Sequence, residues 1–476
     1  MSVLFDFQKY CLGAKSDVIK VIAGIDWQEL YSFASKQALL GLCFEGIERL
    51  GKEYPEELKQ NPIGRELLMT WMGKAQQIRR QNMKVNVVAS KLYSMLREDG
   101  LRCCILKGQG NALMYPNAYS RNPGDIDVWV NAERDSLTEF TKEHFVLEDD
   151  VRYHHLETSM DGVPVELHFF PCTMNNPIYH ARLQKWFKRN ANLQCSNVVS
   201  LPDGVGEIAI PTTSFNVVYQ LTHLYHHFFD EGIGMRQIID YFLVVNDFSK
   251  NVFWDTDFSN PSVSLSKGSS TSHPSPLSSE ERDVTALRCS EPLRSKDGGP
   301  SKVSPDCAGW DRLSIEGDNS AGSIDTSATV ARSSFAAGSS SAASSITSVS
   351  SASTTDSSAS TALDVVQREL KYLGLWKFAG AVMYVLHEVL GLPKEKMIAS
   401  MDEKRGKLLL AEILNGGNFG KHFTKYGHFT QQGMAKKYFL KIWRNMHFVR
   451  YYPAEALSEP IFRTWHFFWR MKNKKN

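Results

Sequence analysis

The first hundred residues place apolar side chains with a helical period. In "GIDWQELYSFASKQALLGLCFEGIERLG", Asp26 stands as an N-cap with Glu29 three residues on, the two halves of a capping box. Leu68, Trp71, Ala75, Ile78, Asn82, Val85, Leu92 and Leu96 then recur at helical spacing up to Gly100, which predicts a long helix with one face in the core. At 101 the pattern changes. "LRCCIL" (101–106), "DIDVWV" (125–130) and "VPVELHFF" (163–170) are short and β-prone, and 133–145 between them has a helical pattern. Residues 214–248, "SFNVVYQLTHLYHHFFDEGIGMRQIIDYFLVVND", return to helix. The expected fold is therefore α+β: a helical region 1–100, a core 101–210 with a small mixed sheet and flanking helices, and a second helical region 211–251.

Beyond about 250 the periodicity disappears. Residues 331–362 are mostly Ser, Ala and Thr, and the approach to them is rich in Ser, Gly, Pro and charge. Such a segment has too little apolar area to offset its ordering entropy, so 252–362 is expected to be a disordered insertion. The helical pattern resumes in 363–476. Asp364 with Gln367 forms a second capping box, and "LWKFAGAVMYVLHEVLGLP" stops at Gly391 and Pro393.

Of 476 residues, 42% are hydrophobic and 22% charged, which fits a soluble globular chain, and a net charge of +2 excludes a strong polyanion binder as a whole. The charge is uneven. The last part carries Lys436, Lys437, Lys441, Arg444, Arg450, Arg463, Arg470, Lys472, Lys474 and Lys475 against only Glu455 and Glu459, with Trp443, Tyr451, Tyr452, Trp465, Phe467, Phe468 and Trp469 among them. The plain expectation is a solvated basic face on a helical subdomain; the sharper one is a surface for RNA or another polyanion. "MSVLFDFQKYCLGAK" lacks the basic leader and apolar run of a signal peptide, and no window approaches the ~18 apolar residues of a membrane span. The eight cysteines are scattered without a C-x-x-C pair, so no disulfide partner and no membrane partner are expected, and the expected compartment is the cytoplasm.

Candidate chemistry lies in "ILKGQGNALMYPNAYSRNPGDIDVWV" (105–130). Side chains alternate along a strand, so Asp125 and Asp127 share one face while Ile126 and Val128 enter the core. Two carboxylates a few Å apart repel unless a cation holds both ionised. Oxygen ligands on a rigid edge suit Mg²⁺ or Mn²⁺. In "VPVELHFF", Glu166 and His168 share a face opposite Val165 and Leu167. If that strand neighbours the first, Glu166 joins the aspartates, and three carboxylates can hold two metal ions ~4 Å apart. Upstream, Lys107-Gly108-Gln109 follows a strand. Gly108 lets backbone N–H groups approach a triphosphate, a helix through 111–114 presents its N-terminus to anions, and Lys107 and Arg121 add charge at the phosphates.

The order strand, K-G turn, helix, G-D-x-D strand, then a later acid on a strand resembles the nucleotidyltransferases of the DNA polymerase β-like superfamily. It resembles more closely an uncharacterised bacterial nucleotidyltransferase family, through "LKGQGNALMYP", "RNPGDIDVWV", "VELHFF", "HLYHH" and "MRQIIDYF". The resemblance covers about 1–250 and the part from 363, and leaves out the Ser-rich insertion. It implies a polymerase β-like core, with Asp125, Asp127 and Glu166 as catalytic metal ligands and Lys107, Gly108, Gln109 and Arg121 at the nucleotide. It implies an NTP substrate, ATP first among them, and an acceptor that is RNA, protein or a small molecule. The chain departs from the superfamily where Lys107-Gly108-Gln109 replaces Gly-Ser, so Lys107 or Gln109 stands in for the phosphate-binding Ser. The alternatives are a glycosyltransferase that uses Asp125-Ile126-Asp127 on a sugar nucleotide, and an inactive nucleotide-binding module.

Three further motifs have simpler expectations. His223, His226 and His227 lack the acid of an H-E-x-x-H zinc motif, so one of them is expected to pack against the catalytic module instead. Arg236 and Asp240, four apart on a helix, are expected to pair with each other. His168 is expected to orient an acid rather than to act as a base.

Overall fold

In a computed structural model, residues 2–14, 16–146, 152–251, 355–422 and 434–473 are described below. Six helices precede the sheet: α1 (Ser2–Cys11), α2 (Val18–Gly24), α3 (Trp27–Lys36), α4 (Leu40–Glu53), α5 (Pro55–Gln60) and α6 (Arg65–Glu98). Asp26 caps α3 as its sequence predicts, its Oδ1 accepting from the backbone N–H of Gln28 and Glu29 at 2.8 and 3.0 Å. The long apolar stripe becomes α6, which buries Trp71, Ile78, Val85, Leu92 and Leu96.

The core adds β1 (Cys103–Leu106), a short α7 (Gly108–Ala112), β2 (Ile126–Val130), α8 (Arg134–His144), β3 (His155–Met160) and β4 (Val163–His168). These strands form one mixed sheet in the order β1-β2-β4-β3. β2 and β4 run parallel, and the other two pairings are antiparallel. β3 goes unpredicted from sequence. It joins β4 through Asp161-Gly162, both at positive φ (51° and 70°), the conformation of a tight hairpin turn.

The sheet has two different faces. Ile105, Ile126, Val128, Val165 and Leu167 pack with Val85, Val88 and Leu92 of α6 and Leu137 and Phe140 of α8. The opposite face carries Cys104, Leu106 and Trp129, covered by α9 (Pro177–Gln194) and α10 (Thr213–Asp230). Trp129 stacks on Phe215 at 5.9 Å, and Phe215 on Trp186 at 4.4 Å. Cys103 and Cys104 divide between the faces, as strand alternation requires. A two-stranded ribbon, β5 (Val198–Ser200) with β6 (Glu207–Ala209), lies between α9 and α10 in sequence.

After α11 (Met235–Asn251), the expected insertion 252–362 lies outside the described residues up to 354. The chain resumes at α12 (Thr355–Tyr372), followed by α13 (Trp376–Leu390), α14 (Glu403–Gly416), α15 (Met434–Met446) and α16 (Pro453–Asn473). α12 begins nine residues before Asp364 (364 − 355), so the expected capping box at Asp364 falls inside the helix and caps nothing. α13 does end at Gly391, in the left-handed conformation (φ 73°). α10 packs on α12 and α11 on α13, so the helices on either side of residues 252–354 share one core.

The C-terminal helices divide their charged side chains between interior and surface. Arg444 is 1% exposed and reaches the carbonyl of Phe228 at 2.8 Å. Lys441 and Arg463 both bind Asp230 at 2.9 Å, and Glu455 and Glu459 are buried. Arg450 and Lys472 are exposed, as are Trp443, Trp465, Phe467 and Phe468. Among the described residues no helix is long and apolar enough to cross a membrane. The six cysteines among them are buried free thiols.

Candidate active site

The parallel register of β2 and β4 sets Asp127 directly beside Glu166. Both alternate with core residues, so both project from the face that carries Trp129, and His168 joins them two residues on. The ligand atoms of Asp127, Glu166 and His168 lie within 4.8 Å of one another. His168 Nε2 stands 3.1 Å from Asp127 Oδ1 and 3.2 Å from Glu166 Oε2. Asp125 precedes the strand and is exposed, close enough to feel both acids. Desolvation and the repulsion of Asp127 and Glu166 push its carboxyl up to about 7, against Lys107 and Arg236, and its open side to solvent screens part of that push.

The other two carboxyls move the opposite way. Burial disfavours a charge on Asp127, but Lys107 and the His168 bond outweigh it and hold the group well below the usual carboxylate range. Glu166 is likewise lowered despite burial, by His168 and His155. His168 resists its own burial and rises to about 9 through Asp127 and Glu166. At neutral pH the two acids are therefore ionised, and Lys107 with a protonated His168 supplies the countercharge.

Lys107 leaves β1 with φ 51° and ψ −121°, a conformation that costs a non-glycine residue roughly 1–3 kcal/mol. That strain aims its Nζ at Asp127 Oδ2 (3.0 Å) and at His223 Nε2 of α10 (2.8 Å). Gly108 follows at φ +31°, and an added Cβ would meet no atom nearer than the Asp125 carbonyl at 3.9 Å, so its conformation rather than space calls for glycine. α7 is only five residues long, which leaves little dipole at its start. Of the "HLYHH" histidines, His223 makes the contact with the catalytic module. His227 Nε2 lies 3.0 Å behind it, and His226 faces Thr173 at 3.3 Å. Burial and Lys107 keep His223 neutral, and burial and His226 bring His227 down to about 3.

Two of the residues assigned to the nucleotide by sequence face elsewhere. Gln109 is buried, its amide donating to Asn86 of α6. Arg121 is buried, with Nε and Nη2 donating to the two oxygens of Asp240 at 2.9 and 2.8 Å. That bidentate pair corrects the expected Arg236–Asp240 bridge. Arg236 instead donates to the Asn122 carbonyl at 3.1 Å and comes within 3.9 Å of where a Cβ on Gly124 would sit. It is the arginine beside the G-D-x-D turn, a place no local spacing reveals.

Residues 23–259 match the model of a family described as an uncharacterised nucleotidyltransferase. The chain belongs to that family. The match spans both strands of the acid pair, the Lys107-Gly108 turn and the helix that carries His223, and the family with its mixed α+β core supports nucleotidyltransferase activity. A solved structure from Paracoccidioides brasiliensis, an antigenic nucleotidyltransferase-like protein, is similar over 34% of this chain and 75% of its own at 15% identity, with a TM-score of 0.23. No curated protein matches.

The donor set of Asp127, Glu166 and His168 fits a divalent ion. Asp127 Oδ1 and Glu166 Oε2 already converge on a single proton donor, His168 Nε2, and Lys107 holds the other oxygen of Asp127. A cation is what these oxygens lack once those partners turn away.

Proposed function

We propose that this nucleotidyltransferase moves NMP from an NTP to an acceptor hydroxyl and releases pyrophosphate. The observation that carries the reading is the side-by-side register of Asp127 and Glu166 below the strained Lys107-Gly108 turn. Asp125, Asp127 and Glu166 would hold Mg²⁺ or Mn²⁺, which when bound neutralises phosphate charge and positions the α-phosphate. Lys107 moves from Asp127 to the phosphates, where a point charge stabilises the departing pyrophosphate. The acceptor oxygen bonds to the α-phosphorus as the bond to the bridging oxygen breaks, and a carboxylate of the site takes the hydroxyl proton. Neutral His223 gives Lys107 a second resting partner without repelling it. Convergence of Glu166 on Asp127 counts against a glycosyltransferase that uses the D-x-D pair alone. ATP is the nucleotide we assign, and the buried thiols suit a reducing, cytoplasmic setting.

The test is incubation of the full chain with each α-labelled NTP, Mg²⁺ and a cell lysate, followed by identification of the labelled molecule. Asp127→Ala and Asp125→Ala are expected to lower incorporation by about 10²–10³-fold or more while circular dichroism stays native. Incorporation at the wild-type level by either variant overturns the reading.

A further inference from the structure

The acid pair has a neighbour that the proposed transfer does not use. On β3, His155 lies in register with His168 and Glu157 with Glu166, and Leu156 between them enters the core. His155 and Glu157 therefore share the face of Asp127 and Glu166. His155 Nε2 is 3.1 Å from Glu157 Oε1, and its Nδ1 is 3.3 Å from Glu166 Oε2. His155 is 4% exposed, and its Nδ1 is buried without a well-formed hydrogen bond, aimed at Glu166. The ligand atoms of His155, Glu157 and Glu166 fall within 4.8 Å of one another. One imidazole gives an ion only one of its two nitrogens, and with one atom from each residue inside that span a small rotation of a carboxylate closes the three onto a single ion. Arg152 Nε, 2.9 Å from Glu157 Oε1, orients that carboxylate.

We propose that His155, Glu157 and Glu166 form a second metal position for a first-row transition ion, with Glu166 bridging it to the ion held by Asp127. The imidazole decides the class. Mg²⁺ prefers oxygen and water, whereas Mn²⁺ and its heavier neighbours accept imidazole nitrogen. A bridging carboxylate sets two such ions about 4 Å apart. The proposal rests on the transferase reading only through Glu166, which both ions share.

The test is titration of the metal-free full chain with Mn²⁺, with free and bound ion followed by electron paramagnetic resonance. Wild type is expected to bind one more Mn²⁺ than Glu157→Gln or His155→Gln, and to show a spin-coupled spectrum that both variants lose. Mg²⁺ is expected to displace the extra ion only in large excess. Equal Mn²⁺ stoichiometry in wild type and Glu157→Gln overturns the proposal, as does equal competition by Mg²⁺. Glu157 is the less buried of the two positions, so its variant decides the matter if His155→Gln fails to fold. Label transfer measured on the same samples separates the readings. An extra ion without transfer defeats only the proposed function, and transfer with equal stoichiometry defeats only the second metal position.

Discussion

Arg121–Asp240 and Lys107–Asp127 are both buried ion pairs, yet they are built to opposite ends. Asp240 receives two guanidinium bonds and a third from the Tyr115 hydroxyl at 2.8 Å, and Asn82 donates to the Arg121 carbonyl at 2.8 Å. Charge and bonding are both closed there, and the pair ties the loop before β2 to α11. Asp127 has one contact to Lys107 and one to His168, with Glu166 and Asp125 adding negative charge beside it. His168 Nδ1 is left without a partner. A closed network holds two elements together, whereas an open one with surplus charge is arranged for something that arrives from outside.

The largest expected effect comes from opening the closed pair. Arg121→Met leaves Asp240 buried without its cation and should cost about 3–5 kcal/mol in urea unfolding. Asp127→Asn takes the carboxylate from buried Lys107 and His168 but leaves Glu166 and Asp125 beside them, so it should also lose stability, by less than Arg121→Met does. Similar losses in both variants would erase the distinction between the two networks.

The same contrast explains what the sequence revealed. Helical period identified α6, α10 and α13, and strand alternation put Asp127 and Glu166 on a polar face before any coordinates, because both signals are local. The partner of Asp240 was not local. Spacing of four along α11 favoured Arg236, but a guanidinium from a loop over a hundred residues earlier offers two parallel bonds, and geometry won. β3 is hard to read because "HLETSM" mixes polar and apolar residues weakly, although the Asp161-Gly162 turn that follows is a usable hairpin signal. His155 and Glu157 take their place beside Glu166 only through β3. Among the C-terminal bases, composition cannot tell that Lys441 and Arg463 bind Asp230, a residue of α10.

Glu455 marks a third case, a buried acid with no cation against it among the described residues. Its oxygens accept the backbone N–H groups of Asn175 (2.6 Å) and Asn176 (3.2 Å), and burial nevertheless pushes its pKa from 4.5 up to about 7. The folded state thus holds this proton more tightly than the unfolded chain. Below pH 4.5 both states are protonated; as pH rises from 4.5 to 7 the folded state loses stability, by up to ~3 kcal/mol. Glu455→Gln should flatten that decline. Glu231 also rises to about 7, so the difference between wild type and variant across the window is the measure, and parallel pH curves would contradict the assignment.

Lys107 tests the open network most directly, since the same ammonium that now neutralises Asp127 is asked to serve the phosphates. Its pKa is raised, because Asp127 and Asp125 overcome its burial, so it stays a cation at working pH. A resident cation and an arriving divalent ion compete for one carboxylate. Lys107→Met keeps the apolar stem and removes the competitor, so Mn²⁺ should bind on the order of tenfold tighter. Nucleotidyl transfer should nevertheless fall by about 10–100-fold, because the phosphate contact is lost with the charge. Opposite movement of affinity and rate is the signature of a lysine that changes partners. If both fall together, Lys107 only props Asp127 in place, and the open network is a weaker version of the closed one.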